Sequence, residues 1–164
     1  MTSLLPDVDP DGLLEYSVVF TDRSLNHMSR TFQQVMKDIS SNLREVYNAA
    51  AVIVVPGGGT YGMESVARQF ATGRKCLVIR NGFFSYRWSQ IIDRGGLTDE
   101  TTVMLARQSA AGPQAPFAPP AIEDVTATIR CEKPDVVFAP HVDTSSGMIL
   151  PNEYILAVGE AVHE

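Results

Sequence analysis

Ala51-Val52-Ile53-Val54-Val55-Pro56-Gly57-Gly58-Gly59-Thr60 is the stretch whose reading decides the fold. Five apolar residues, four of them β-branched, read as a strand covered on both faces, which is the signature of a parallel sheet. Pro56 and three glycines end it. After them Met63, Val66, Ala67, Phe70 and Ala71 recur at helical spacing, and Gly73 is the expected left-handed stop. A strand, a glycine turn and a helix in that order form one repeat of an α/β layer.

The same grammar recurs on both sides. Upstream, Phe32, Val35, Met36, Ile39, Leu43, Val46 and Tyr47 mark one helical face over four turns. Downstream, Cys76 to Ile79 is a strand, Asn81-Gly82 a turn, Trp88, Ile91 and Ile92 a helix, and Gly95-Gly96 its stop. Thr102 to Leu105 predicts a further strand. In the segment from Gly112 to Pro120 the prolines argue against regular structure, and Pro119-Pro120 is placed to open the next helix. Ile122, Val125 and Ile129 mark that helix, Val136 to Ala139 a strand, and Pro151 to Val162 a last helix with Ile155, Val158 and Val162 on one side. The alternation predicts a mostly parallel sheet with helices on both faces.

Composition narrows the function classes. The 164 residues are 45% hydrophobic and 20% charged, as in an ordinary globular domain, and the net charge of −6 provides no basic footprint for nucleic acid. No nucleic-acid partner is expected. The two cysteines, Cys76 and Cys131, lie too far apart in sequence for a zinc knuckle and read as buried thiols. His27, His141 and His163 are scattered without metal-ligand spacing, so no metal is expected and each reads as a packing or hydrogen-bonding residue. Without a signal peptide or an 18-residue apolar run, the expected place is the cytoplasm, with no membrane partner.

Three turns carry the chemistry. Pro56 to Thr60 opens a helix, where free N–H groups and the helix dipole favour an anion; a phosphate site and a merely structural turn both fit. Arg80 to Trp88 sets four aromatic rings beside two arginines, either as a stacking surface for a flat ring or as core packing under the loop. Ala139 to Gly147 gathers His141, Asp143, Thr144 and Ser145. These groups lie too close on one turn for a hydrolase triad, and no G-x-S-x-G elbow exists.

Taken together, Pro56 to Glu64, Asn81 to Trp88 and His141 to Pro151 resemble the class V aminotransferases, which include alanine-glyoxylate and serine-glyoxylate aminotransferases. The likeness runs from about His27 to the end. It implies the large domain of the fold-type I transferases, with pyridoxal 5'-phosphate as cofactor. Gly58, Gly59 and Thr60 would hold the cofactor phosphate, Phe84 would stack on its ring, and Thr144 would reach its phenolic oxygen, with Ser145 as the fallback. Asp143 stands where many members have Glu, and its role stays open.

The resemblance also implies what is missing. The Asp that pairs with the pyridinium nitrogen and the Schiff-base lysine are both expected beyond residue 164. Lys37, Lys75 and Lys133 all read as surface charges, so no residue of this chain is assigned as catalytic. The expected organisation is an arm over residues 1–26 and a partial cofactor-binding large domain over 27–164, cut short before the lysine. The expected reaction moves an amino group from an amino acid to a small 2-oxo acid such as glyoxylate, in a protein that is a homodimer when complete. The competing expectation is a non-catalytic module that binds phosphate ligands or needs a companion chain.

Overall fold

The computed structural model describes residue 27 and residues 29–164, in two compact units divided between Val54 and Val55. The first holds helix α1 (Arg30–Tyr47). Ser29 caps it by accepting a 3.1 Å hydrogen bond from the Phe32 N–H, and Asn48 ends it in the left-handed conformation at φ 47°. The predicted apolar face is there, but no residue of α1 is buried.

The second unit alternates helix and strand: α2 (Gly59–Phe70), β1 (Cys76–Arg80), α3 (Phe83–Gly95), β2 (Thr101–Leu105), β3 (Arg107–Gln108), β4 (Phe117–Ala118), α4 (Ile122–Glu132), β5 (Val136–Phe138), β6 (Val142–Asp143), β7 (Met148–Ile149) and α5 (Asn152–His163). The main sheet is parallel with order β2-β1-β5, and Val78 pairs with Val103 on one side and Phe138 on the other.

Strand periodicity sends successive β1 side chains to opposite faces, and each face has its own helices. Leu77 and Ile79 pack with Val125 and Ile129 of α4 and with Tyr154, Val158 and Ala161 of α5. Cys76 and Val78 pack with Ala67 of α2, Ala71, Ile92 of α3 and Phe138. All four strand residues are fully buried, and Leu77, Val78 and Ile79 are each worth roughly 1.5–3 kcal/mol. The chain is therefore an α/β layer with helices on both faces of a parallel sheet.

Several expectations need correction. Ala51 to Val55 forms no strand, and Ile53 is 86% exposed. A β-branched run is a strand only when a neighbour completes its ladder, and none pairs with it among the described residues. The proline-rich segment is not wholly irregular: Phe117–Ala118 pairs antiparallel with Arg107–Gln108, because two residues free of proline lie between Pro116 and Pro119. Cys131 is exposed on α4, while Cys76 is buried. The three histidines are all exposed, so they do not pack in the core. On α5 the inward residues are Tyr154, Val158 and Ala161; Val162 points outward at 47% exposure. None of the described helices is long and apolar enough to cross a membrane.

Candidate active site

Parallel strands align their carboxyl ends, so the turns after β1, β2 and β5 share one edge of the sheet. Two of the three chemical turns, after β1 and after β5, meet there. Helix α2 ends just before β1 begins, and its twelve residues rise about 18 Å. That length returns its N-terminus to the same edge.

Two helix N-termini at this edge, those of α2 and α3, are in opposite states. The first turn of α3 is filled by the protein itself. Phe83 N–H donates to Ser145 Oγ at 2.6 Å, and Ser85 N–H to Asp143 Oδ2 at 2.9 Å. The neighbouring Phe84 N–H adds to the field that favours the Asp143 carboxylate. The Ser85 hydroxyl donates to Asp143 Oδ2 at 2.6 Å and accepts from the Asn81 and Gly82 N–H groups at 2.8 and 3.0 Å. Ser145 Oγ donates to Asp143 Oδ1 at 2.5 Å. Burial of Asp143 pushes its carboxyl up, but the bonds from Ser145 and Ser85, with the nearby Phe84 N–H, outweigh it and hold the carboxyl below its ordinary value.

Gly82 makes this packing possible. A Cβ on it would lie 2.6 Å from both Asp143 Oδ1 and Ser145 Oγ.

The first turn of α2 is open. Its N-cap Gly58 supplies no side-chain bond, and among the described residues a Cβ added to Gly58 or Gly59 would meet no atom beyond its own chain neighbours and helix backbone within 4 Å. The N–H groups at such a start are orphan donors with the positive end of the helix dipole behind them. Positive φ is required at Gly57 instead, at +133°. Thr60 lines a cleft of about 340 Å³ that runs along α2 and α3 with Glu64, Arg68, Arg87, Gln90, Ile91, Arg94 and Gly95; Arg68 and Arg94 lie in the last turns of their helices, away from the α2 start. Arg68 is tied to Glu64 at 2.7 Å, and Arg87 lies over the Phe83 ring at 5.1 Å.

The predicted site residues separate by what they touch. Phe84 is 47% exposed, whereas Trp88 stacks on Phe138 at 4.4 Å beside the core. Core packing therefore accounts for Trp88, and Phe84 is left with its ring exposed. Thr144 is exposed, and its hydroxyl makes no hydrogen bond among the described residues. Ser145 instead spends its hydroxyl on α3 and Asp143. No hydrogen bond among the described residues joins Gly58, Gly59 or Thr60 to Thr144.

The lysines stand elsewhere. Lys75 precedes β1, at the amino edge, where Nζ donates to the Glu132 carbonyl at 2.9 Å. Lys133 caps the C-terminus of α4, also at the amino edge because β5 follows it, and Lys37 lies on α1. Asp143 is the residue whose role the sequence left open. The signals were Asp143-x-Ser145 on one turn and Gly82-x-x-Ser85 on another, but nothing local joins segments about 60 residues apart.

No family model matches the chain. It is 28% identical over 144 residues to a protein named soluble hydrogenase, small subunit, from Synechococcus sp. strain PCC 6716, covering 84% of this chain and 36% of that protein. It is 28% identical over 128 residues to L-aspartate–glyoxylate aminotransferase from Paracoccus denitrificans, covering 76% and 31%. Its fold is similar to the crystal structure of ureidoglycine-glyoxylate aminotransferase from Bacillus subtilis, with a TM-score of 0.64 and 21% identity over 84% of this chain and 34% of that one. The chain thus spans about a third of the length of each of these proteins. It has the α/β fold of that aminotransferase and is similar in sequence, at low identity, to a glyoxylate aminotransferase.

Proposed function

We propose that this chain carries the phosphate- and ring-holding part of a class V aminotransferase that uses pyridoxal 5'-phosphate. The reaction moves an amino group from an amino acid to a small 2-oxo acid such as glyoxylate. The observation that carries the reading is the contrast between the two helix starts on one edge: α3 is closed by Asp143 and Ser145, while α2 is open at Gly58, Gly59 and Thr60. The names and fold of the similar proteins support it.

The residues present fit the cofactor's parts. Gly58 and Gly59 let phosphate oxygens approach the first N–H groups of α2, and Thr60 adds a hydroxyl donor. The exposed Phe84 ring offers a face to the pyridine, and the Thr144 hydroxyl is free to donate to the phenolic oxygen. When bound, the cofactor supplies an electron sink for the donor's α-carbon. The chain's part is to hold and orient it. In this reading the reactive lysine and the Asp facing the ring nitrogen come from polypeptide outside residues 1–164, residues 27–164 belong to one large domain, and the whole protein is a cytoplasmic homodimer.

The second reading is a non-catalytic phosphate-binding or interaction module that needs a companion chain; in both readings Lys75 and Lys133 stand away from the carboxyl edge. Borohydride reduction after incubation with pyridoxal phosphate, read by mass spectrometry, tests the assignment. The expected result is saturable noncovalent binding with no stoichiometric adduct on Lys37, Lys75 or Lys133. A stoichiometric adduct on any one of them would move the chemistry to that lysine.

A further inference from the structure

We infer that Asp143 is a positioning residue that fixes the Phe84 ring relative to the Thr144 hydroxyl and removes Ser145 from ligand contact. The inference rests on the cofactor reading above and extends it to residues that touch no ligand.

Thr144 is flanked by two residues that are both tied to α3. On one side Asp143, 1% exposed, holds the Ser85 N–H and hydroxyl at 2.9 and 2.6 Å. On the other, Ser145 Oγ accepts from the Phe83 N–H at 2.6 Å. Phe84 lies between those two helix positions. The two prospective ring contacts, Phe84 and Thr144, are therefore the middle members of two pinned triplets. The tie is rigid because the donors on the α3 side are backbone groups of a helix start, and because Asp143 Oδ1 bridges to Ser145 at 2.5 Å. Gly82 allows no slack, since a Cβ there would meet the same two residues at 2.6 Å.

Ser145 and Thr144 are adjacent hydroxyls, yet only one is available. Ser145 donates its single proton to Asp143 and accepts from Phe83. Turning it toward a ligand would strand a backbone N–H and a carboxylate oxygen. Among the described residues Thr144 has no such commitment.

The test uses the whole chain, with pyridoxal phosphate and inorganic phosphate as separate probes, and compares Asp143→Asn, Ser145→Ala and Thr144→Val with the unaltered protein. Affinity, the induced circular dichroism of the bound chromophore and amide exchange at Phe83, Phe84 and Ser85 are measured. Asp143→Asn and Ser145→Ala should speed exchange and abolish the induced signal. They should also weaken pyridoxal phosphate roughly tenfold, about the value of one placed hydrogen bond, with inorganic phosphate unchanged. Thr144→Val should weaken pyridoxal phosphate alone, with exchange unchanged.

Three outcomes overturn the inference. One is an unaltered induced signal in both Asp143→Asn and Ser145→Ala. Another is equal weakening of both probes, which would mean general damage. The third is an unaltered protein that ignores pyridoxal phosphate while Asp143→Asn still speeds exchange; that sinks the functional reading as well and leaves a plain helix cap.

Discussion

Replacing Gly59 by Ala should separate stability from binding. Gly59 is the first residue of α2, and a Cβ there meets nothing within 4 Å among the described residues, so the methyl group enters space that they leave open. Helix propensity and the reduced freedom of the unfolded chain favour Ala by about 0.5–1 kcal/mol. The same open space is where the proposed phosphate approaches the first N–H groups. A methyl group holding an oxygen away from one charge-assisted bond would cost about 1.5–3 kcal/mol, at least tenfold in affinity. Urea denaturation reads the first quantity, and titration with inorganic phosphate and pyridoxal phosphate reads the second. Gly57→Ala is the contrasting control: its φ of +133° makes any side chain strained, at about 1–3 kcal/mol. The nearby Tyr61 ring, 2.7 Å from where that Cβ would sit, is 66% exposed and free to swing aside, so it adds little. A destabilised Gly59→Ala protein, or one that binds both probes as tightly as before, would refute the reasoning.

Two further predictions concern pH. The Asp143 carboxyl lies below its ordinary value when folded, so its contribution to stability is present above the unfolded value of about 3.9 and is lost as pH falls through the lower folded value. Acid denaturation of Asp143→Asn should accordingly lose that part of the slope; superimposable acid limbs would contradict it. Burial pushes Tyr154 up to about 12, and its hydroxyl donates to the Pro120 carbonyl at 3.0 Å. Its contribution is present below the unfolded value of about 10 and is lost as pH rises toward the folded one. Tyr154→Phe should cost about 1 kcal/mol at neutral pH and flatten the alkaline limb, as chemical denaturation at several pH values would read.

Much of the sheet was legible because β1 states its own burial. Four consecutive apolar residues from Cys76 to Ile79 are covered on both faces, and the helices on either side bear the apolar spacing that covers them. Ala51 to Val55 has the same composition and a different outcome, since pairing depends on a neighbour that a local pattern cannot supply. On α5 the apolar residues outnumber the inward positions, so the pattern alone did not distinguish Ala161 from Val162.

The candidate site was legible in its parts. The glycine turn reads as a helix start from its residues alone, and α2 begins there. The sequence did not reveal that the α3 start is already filled, because Asp143 and Ser85 are 58 residues apart and meet only in the folded chain. That contact separates Ser145 from Thr144, two hydroxyls that local sequence treats alike.

The most direct test of the central claim is a titration of the isotopically labelled chain with pyridoxal phosphate, followed by the backbone amide resonances, with pyridoxal lacking the phosphate as the comparison. Saturable shifts at Gly58, Gly59, Thr60, Phe84 and Thr144, with the first three lost when the phosphate is removed, are the predicted result. Shifts confined to the Arg68, Arg87 and Arg94 cleft, or the same shifts with and without the phosphate, would contradict it.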